Sequence, residues 1–257
     1  MSKSIEVFSG FDPREAIGWH VFAASLLDRA TQPVALHRLD ACGLPQGSNA
    51  FTLSRFLVPY FMGFRGHAIF MDGADMLMLG DIAELDALFD PQYAVQVVKH
   101  DYKTRNPRKY LGTAMECDNP DYDRKNWASV MLINCEHDAW AGVDSAWLEA
   151  ERPIDWLRFA HLDADQIGML PDEWNRLLDE GQPLEGAKVA HFTAGVPCFP
   201  QCGGVPGADL WFEQLRKLQT GLPPPPPSPP SPPPRYVEVA RPVDAISTQW
   251  LSSPPTT

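Results

Sequence analysis

The sequence contains no run of about 18 apolar residues, so none of it reads as a membrane-crossing helix. Its opening, MSKSIEVFSGFD, meets Glu6 and Asp12 within a dozen residues, a pattern unlike a secretory leader. Cysteine is scarce and scattered: Cys42, Cys117, Cys135, Cys198 and Cys202 form an odd set with no CxxC, which fits reduced thiols rather than a disulfide framework or zinc knuckle. Basic residues are outnumbered, 21 Lys and Arg against 33 Asp and Glu, and the net charge of −12 argues against binding nucleic acid or an anionic membrane. Several signatures are absent as well: GxxxxGK[ST], a GxGxxG after the first strand, GxSxG and HExxH. A soluble, cytoplasmic protein is expected, and a nucleotide bound to it would be held through a metal rather than a glycine cradle.

What is present is unevenly distributed. Of 26 prolines, 10 fall between Pro223 and Pro234 in a PPPPPSPPSPPP run that lacks the backbone donors and apolar side chains of a packed element. Residues 1–221 therefore read as one folded body and residues 222–257 as a disordered, proline-rich tail, either a stiff spacer or a ligand for SH3- or WW-type grooves. The acidic excess belongs to the body, because Arg235 and Arg241 cancel Glu238 and Asp244 in the tail.

Within the body, apolar runs at Ile5–Phe8, Val34–Leu39, residues 67–71, Tyr93–Lys99, Trp127–Asn134 and Lys188–Phe192 read as strands. Asp12, Pro13 and Glu15 spell a helix start with a capping box, ahead of Ile17, Val21, Ala24 and Leu27 on one face. Asp81 and Glu84 repeat the capping spacing before a short helix. Further helices are predicted at residues 54–64, 144–151 and 208–218. Alternating strands and helices predict an α/β fold with a central, mostly parallel sheet flanked by helices. Residues 100–126 are polar and long for a compact domain, as functional loops are.

Four constellations could carry chemistry. Asp72 and Asp75 follow the strand HAIFM directly and could converge on one hard divalent cation, or one could close an Asp-Gly turn while the other is solvated. His191 ends the strand KVAHF and either completes a mixed nitrogen and oxygen site suited to Mn²⁺ or is a satisfied core histidine. Asp163, Asp165 and Gln166 gather acceptors that could instead complement a helix N-terminus. Arg55, on an apolar helix, is an ion-pair partner or a phosphate clamp.

Taken together, FSGFDPREAIGWHVFAASL, SRFLVPYFMGFRGHAIFMDGADMLMLGDIAEL, VQVVKHDY, RKNWASVMLINC, DADQIGMLPDEWN and HFTAGVPCF resemble, in order, the glycosyltransferase family 8 group of GT-A fold. The resemblance spans about residues 4–215. It implies a metal-dependent, retaining transfer of a hexose from a nucleotide sugar, UDP-linked, to a glycan, lipid or protein acceptor, with Mn²⁺ or Mg²⁺ as cofactor. Asp75, six residues before Asp81 of the GDI segment, matches the metal-binding aspartate of the family's Asp-x-Asp. Asp72 lies one residue early for the first aspartate and is implied as a ribose or metal contact, its aim restored by a bulge. His191 is the implied third ligand. Phe8, Ser9, Gly10 and Asp12 match the loop that holds base and ribose, Arg55 the arginine that meets the nucleotide, and Asp165 and Gln166 the pair near the donor sugar. The family's late loop lysine, which touches the diphosphate, has no match: Gly195 recovers the loop glycine only with an insertion, and Lys99 or Lys125 is left to share its load with Arg55. That missing lysine also keeps open a catalytically silent, nucleotide-sugar-binding protein of the same fold.

Overall fold

The computed structural model describes residues 4–220 except Gln46 and Glu151; the proline-rich tail lies outside the described residues. In chain order the elements are β1 (Ile5–Gly10), α1 (Ala16–Arg29), β2 (Val34–Leu39), α2 (Val58–Phe61), β3 (His67–Met71), β4 (Met76–Met78), α3 (Ile82–Asp86), β5 (Val95–Val97), β6 (Arg108–Lys109), β7 (Cys117–Asp118), β8 (Val130–Asn134), α4 (Ser145–Ala150), α5 (Pro153–Leu157), β9 (Ile167–Met169), β10 (Arg176–Leu177), β11 (Val189–His191) and α6 (Ala208–Thr220).

Six strands form the central sheet in the order β2-β1-β3-β8-β5-β9, and β8 alone runs against the rest. The apolar runs are continuous because both faces are covered. Alternate residues feed opposite layers: Phe8, Phe70 and Met131 enter one core with Trp140 and Trp156, while Val7, Ile69 and Leu132 enter the other with Phe22 and Leu26 of α1. A smaller sheet, β10-β11-β4, stands beside it.

Two local expectations are corrected. Helix α1 buries Gly18, Val21, Phe22, Ser25 and Leu26, while Ile17 and Leu27 are more than half exposed, so the buried stripe is rotated from the sequence reading. The rotation has a cause in the turn after β3: a Cβ on Gly18 would lie 2.4 Å from the Ala74 carbonyl oxygen, and Ser25 Oγ accepts from Met78 N at 3.0 Å. The face of α1 that approaches β4 is thus chosen for close backbone contact as well as for apolarity. The two capping boxes form only in part. Asp12 and Asp81 cap through Arg14 N and Ala83 N, but Glu15 is buried and Glu84 reaches Lys188 at 2.6 Å.

The long segment 100–126 is not structureless. It carries the β6–β7 ribbon, and Tyr110 N donates to Ala194 O at 2.7 Å, tying it to the loop after β11.

Candidate active site

Strand β3 places its C-terminal end beside the start of β8, where Asp72 N donates to Ser129 O at 2.9 Å. Gly73 then turns with φ +90, closed by Met76 N to Gly73 O at 2.8 Å. A Cβ there would lie 2.2 Å from Ser9 Oγ, so backbone angle and space both demand glycine. The left-handed turn, rather than a strand bulge, aims Asp72 and Asp75 at one point. β4 pairs with β11 in the register His191↔Met76, and Phe192 N donates to Asp75 O at 2.8 Å, so His191 is delivered beside Asp75 across 116 residues of sequence. Ligand atoms of Asp72, Asp75 and His191 lie within 4.8 Å of one another.

The imidazole is fixed from behind. Asn175, fully buried, donates through Nδ2 to Ser129 Oγ at 2.9 Å, and its Oδ1 accepts from His191 Nδ1 at 2.8 Å. Nε2 is left facing Asp75 Oδ2 at 3.3 Å. A ring nitrogen oriented by a hydrogen bond at the other is the support a metal-ligating histidine requires. Burial disfavours the imidazolium, but Asp75, then Asp72 and Asp179, raise its pKa above the usual histidine value. Burial likewise opposes the Asp75 carboxylate, yet His191 and Lys109 hold its pKa below the ordinary range.

Asp72 behaves differently. Burial pushes its carboxyl up to about 6, against the pull of Arg55 and with the added repulsion of Asp75. Arg55, itself buried, sits between the Phe51 and Phe70 rings with its guanidinium 5.3 and 5.1 Å from their centroids. It donates from Nε to Thr52 O at 3.1 Å and from Nη1 to Ala128 O at 2.7 Å, and Nη1 lies 2.7 Å from Asp72 Oδ1 as an ion pair. Asp72 Oδ1 and Asp75 Oδ1 are buried and accept no hydrogen bond among the described residues. Two carboxylates, one of them shared with Arg55, and one oriented imidazole make a donor set that fits a divalent cation.

The structure gathers some of the other predicted residues here and sends others elsewhere. Ser9 Oγ is buried against Gly73, and a Cβ on Gly10 would strike the Phe51 ring at 2.2 Å. Asp12 is not among the residues that line the pocket; it is buried, accepting from Arg14 N at 2.9 Å and Ala50 N at 3.0 Å. Lys125 lines the pocket with Asp72, Asp75 and His191. Phe8 does not: it stacks on His37 at 4.5 Å and faces a separate groove with Phe61 and Met62. Gly195, at φ +144, makes its close approaches to protein, because a Cβ would lie 2.7 Å from Cys202 Sγ and 3.2 Å from the Tyr110 ring. Lys99 turns away, its Nζ donating to Ile167 O at 2.7 Å, and lines a neighbouring cavity with Tyr102 and Arg124.

Asp165 and Gln166 are at the wrong end of the sheet for a role in this pocket. They precede β9, which runs parallel to β5, and Gln166 O accepts from Ala94 N at 2.9 Å ahead of the first residue of β5. The acidic pocket lies beyond the other ends of these strands. Gln166 Oε1 accepts from Asp163 N at 2.8 Å in a capping box, the helix-terminus alternative raised by the sequence.

Sequence reasoning missed Asn175, Tyr122 and Lys109, all of which stand at the site. Asn175 ends the PDEWN segment, but nothing in its spacing pairs it with a histidine 16 residues on.

No family model matches this chain. The glycosyltransferase structure titled galactosyltransferase LgtC in complex with donor and acceptor sugar analogues superposes with a TM-score of 0.57 at 14% identity, covering 83% of this chain and 96% of that one. A WbbM bifunctional glycosyltransferase gives 0.56 at 15% identity over 84% of this chain, which spans only 50% of the longer molecule. The glycosyltransferase GlyE of Streptococcus pneumoniae TIGR4 gives 0.52 at 14% identity, covering 86% of this chain and 64% of its own. These likenesses establish a GT-A-like glycosyltransferase fold. In sequence, Protein CDI of Arabidopsis thaliana is 31% identical over 231 residues, covering 84% of this chain and 87% of that protein. The chain belongs to the family of Protein CDI.

Proposed function

We propose that the protein is a glycosyltransferase of the family 8 kind, moving a hexose from a UDP-sugar with retention of configuration and with help from a divalent cation. The observation that carries this reading is the convergence of Asp72, Asp75 and His191 beyond the C-terminal end of β3, with His191 oriented by Asn175. Ligands of open α/β sheets bind beyond the carboxyl ends of the parallel strands. A cation bound there supplies Lewis-acid stabilisation of the charge that grows on the diphosphate as the sugar-phosphate bond breaks.

The chain's own residues bind and orient. Asp75 and His191 Nε2 offer the cation its least encumbered ligands, and Asp72 joins once its pairing with Arg55 is shared. Binding displaces any proton from His191, so affinity for the metal rises with pH. Arg55 holds Asp72 in place, and Asp12, buried and locked by Ala50 N and Arg14, fixes the loop after β1.

One observation favours the silent reading over the catalytic one: Asp165 and Gln166, the pair implied to lie near the donor sugar, are remote from the pocket. Calorimetric titration of UDP with and without Mn²⁺ tests the common premise. Metal-dependent binding at micromolar to millimolar Kd is expected, and its absence ends both readings. Release of free sugar from a UDP-hexose by the wild-type protein then separates enzyme from binding module.

A further inference from the structure

The pocket around the three candidate metal ligands also contains positive charge that faces its acids without direct ion pairs. Arg55 is paired with Asp72 and Arg14 with Asp12. Lys109 and Lys125 line the same pocket, yet neither makes an ion pair among the described residues. Lys109 Nζ meets only the Ser48 hydroxyl at 3.3 Å and the Tyr110 ring face at 5.6 Å. Lys125, almost fully buried, donates to the neutral Asn119 Oδ1 at 2.8 Å and Pro120 O at 2.6 Å. Burial lowers the Lys125 pKa and the charge of Lys109 lowers it further, against the weaker pull of Asp121 and Glu180. In a chain with 12 surplus negative charges, acids to pair with them were plentiful. Leaving two ammonium groups unpaired in one pocket costs stability unless an anion arrives.

The backbone holds them in place. Lys109 ends β6, in register with Cys117 of β7, and the next residue binds Ala194 O in the loop after His191. Segment 100–126 therefore carries its lysines into the pocket of the metal ligands, while the loop after His191 offers Val196 and Pro197 but no cation.

We infer that Lys109, with Lys125 beside it, is the clamp on the diphosphate of the bound nucleotide, supplied from the β6–β7 ribbon instead of the loop that follows His191. This rests on the proposed nucleotide-diphosphate site, and the test separates the two. Wild-type protein and the variants Lys109→Ala, Lys109→Arg and Lys125→Ala are titrated with UDP, uridine and inorganic pyrophosphate, each with Mn²⁺ present, and their thermal midpoints are compared.

Lys109→Ala is expected to weaken UDP and pyrophosphate binding about 10- to 100-fold, the loss typical of a charge-assisted contact. Uridine binding stays unchanged and the thermal midpoint does not fall, because Lys109 is half-buried, bonded only to Ser48 and adds a charge that Lys125 repels. Lys109→Arg recovers most of the loss, and Lys125→Ala gives a smaller one. UDP and pyrophosphate affinities of Lys109→Ala within about twofold of wild type would overturn the clamp while leaving the nucleotide site standing. Lys109-dependent binding of pyrophosphate without any of UDP would uphold the clamp and remove UDP as the nucleotide. Binding of neither ligand by the wild type would refute both.

Discussion

The two ends of the central sheet carry acids of the same kind and treat them oppositely. Beyond β3, Asp72 and Asp75 are drawn under the surface with His191, and their charge is set against Arg55, Lys109 and each other. Ahead of β9, Asp163 and Asp165 are exposed, and the segment does no more than cap a single helical turn. In the sequence both look like acid-rich strand ends. Burial is what separates them: a carboxylate in water costs nothing to keep charged, whereas one taken out of water must be matched by a partner, a proton or a metal. The end of the sheet where that matching is incomplete is the end at which we propose a ligand binds.

Substitutions at the two ends should differ accordingly. The largest effect is expected from Asp75→Ala or His191→Ala, which remove a ligand outright and should abolish Mn²⁺-dependent UDP binding in calorimetry; retained metal dependence would disprove the assignment. Asn175→Ala comes next. By releasing His191 Nδ1 it should weaken Mn²⁺ binding about 10- to 100-fold, the range known for supporting partners of a metal ligand, as read by direct metal titration.

Glu15 yields a pH signature at the same end of the molecule. Burial, then the charge of Asp75, pushes its carboxyl up to about 8, so the neutral acid is the form the fold favours. The stability it contributes is fully present below the ordinary glutamate value of 4.5 and is lost as pH rises from there through about 8. Wild-type melting temperatures should therefore fall between about pH 6 and about pH 9 by more than those of Glu15→Gln, whose amide stays neutral throughout. Equal slopes would show that Glu15 is ionised in the fold.

The smallest effect belongs to the far end. Gln166→Ala gives up a cap worth about 1 kcal/mol, and Asp165→Ala still less, while both leave Mn²⁺-dependent UDP binding within about twofold of wild type. A large loss from either would return this pair to the site and erase the contrast between the ends.

Much of this was legible along the chain. The runs HAIFM and VMLIN became strands because unbroken apolar runs of that length fit a sheet buried on both faces, while IEVF and the edge strand VALHRL leave Glu6 half-buried and His37 and Arg38 exposed. Asp72, Asp75 and His191 were recognisable because each sits where a strand stops, and Arg55 because its helix is otherwise apolar. Five strands of two or three residues, β4, β6, β7, β9 and β10, went unseen, whereas β5 and β11, of three residues, were read from the longer apolar runs around them. Lys99 and Phe8 were misplaced for another reason. A side chain near a strand end can face either side of the sheet, and one residue of phase decides which.

The sequence by itself determined the α/β alternation and the acidic turn at the end of a buried strand, because these are local properties of hydrophobic period and backbone geometry. Only the tertiary structure decided which charges are buried together. Antiparallel pairing of β4 with β11 brings His191 to Asp75, the β6–β7 ribbon brings Lys109 over both, and parallel pairing of β9 with β5 carries Asp165 and Gln166 away. The first and last of those are long-range strand registers, and the ribbon is held at the site by the bond from Tyr110 N to Ala194 O, between segments that spacing along the chain does not relate.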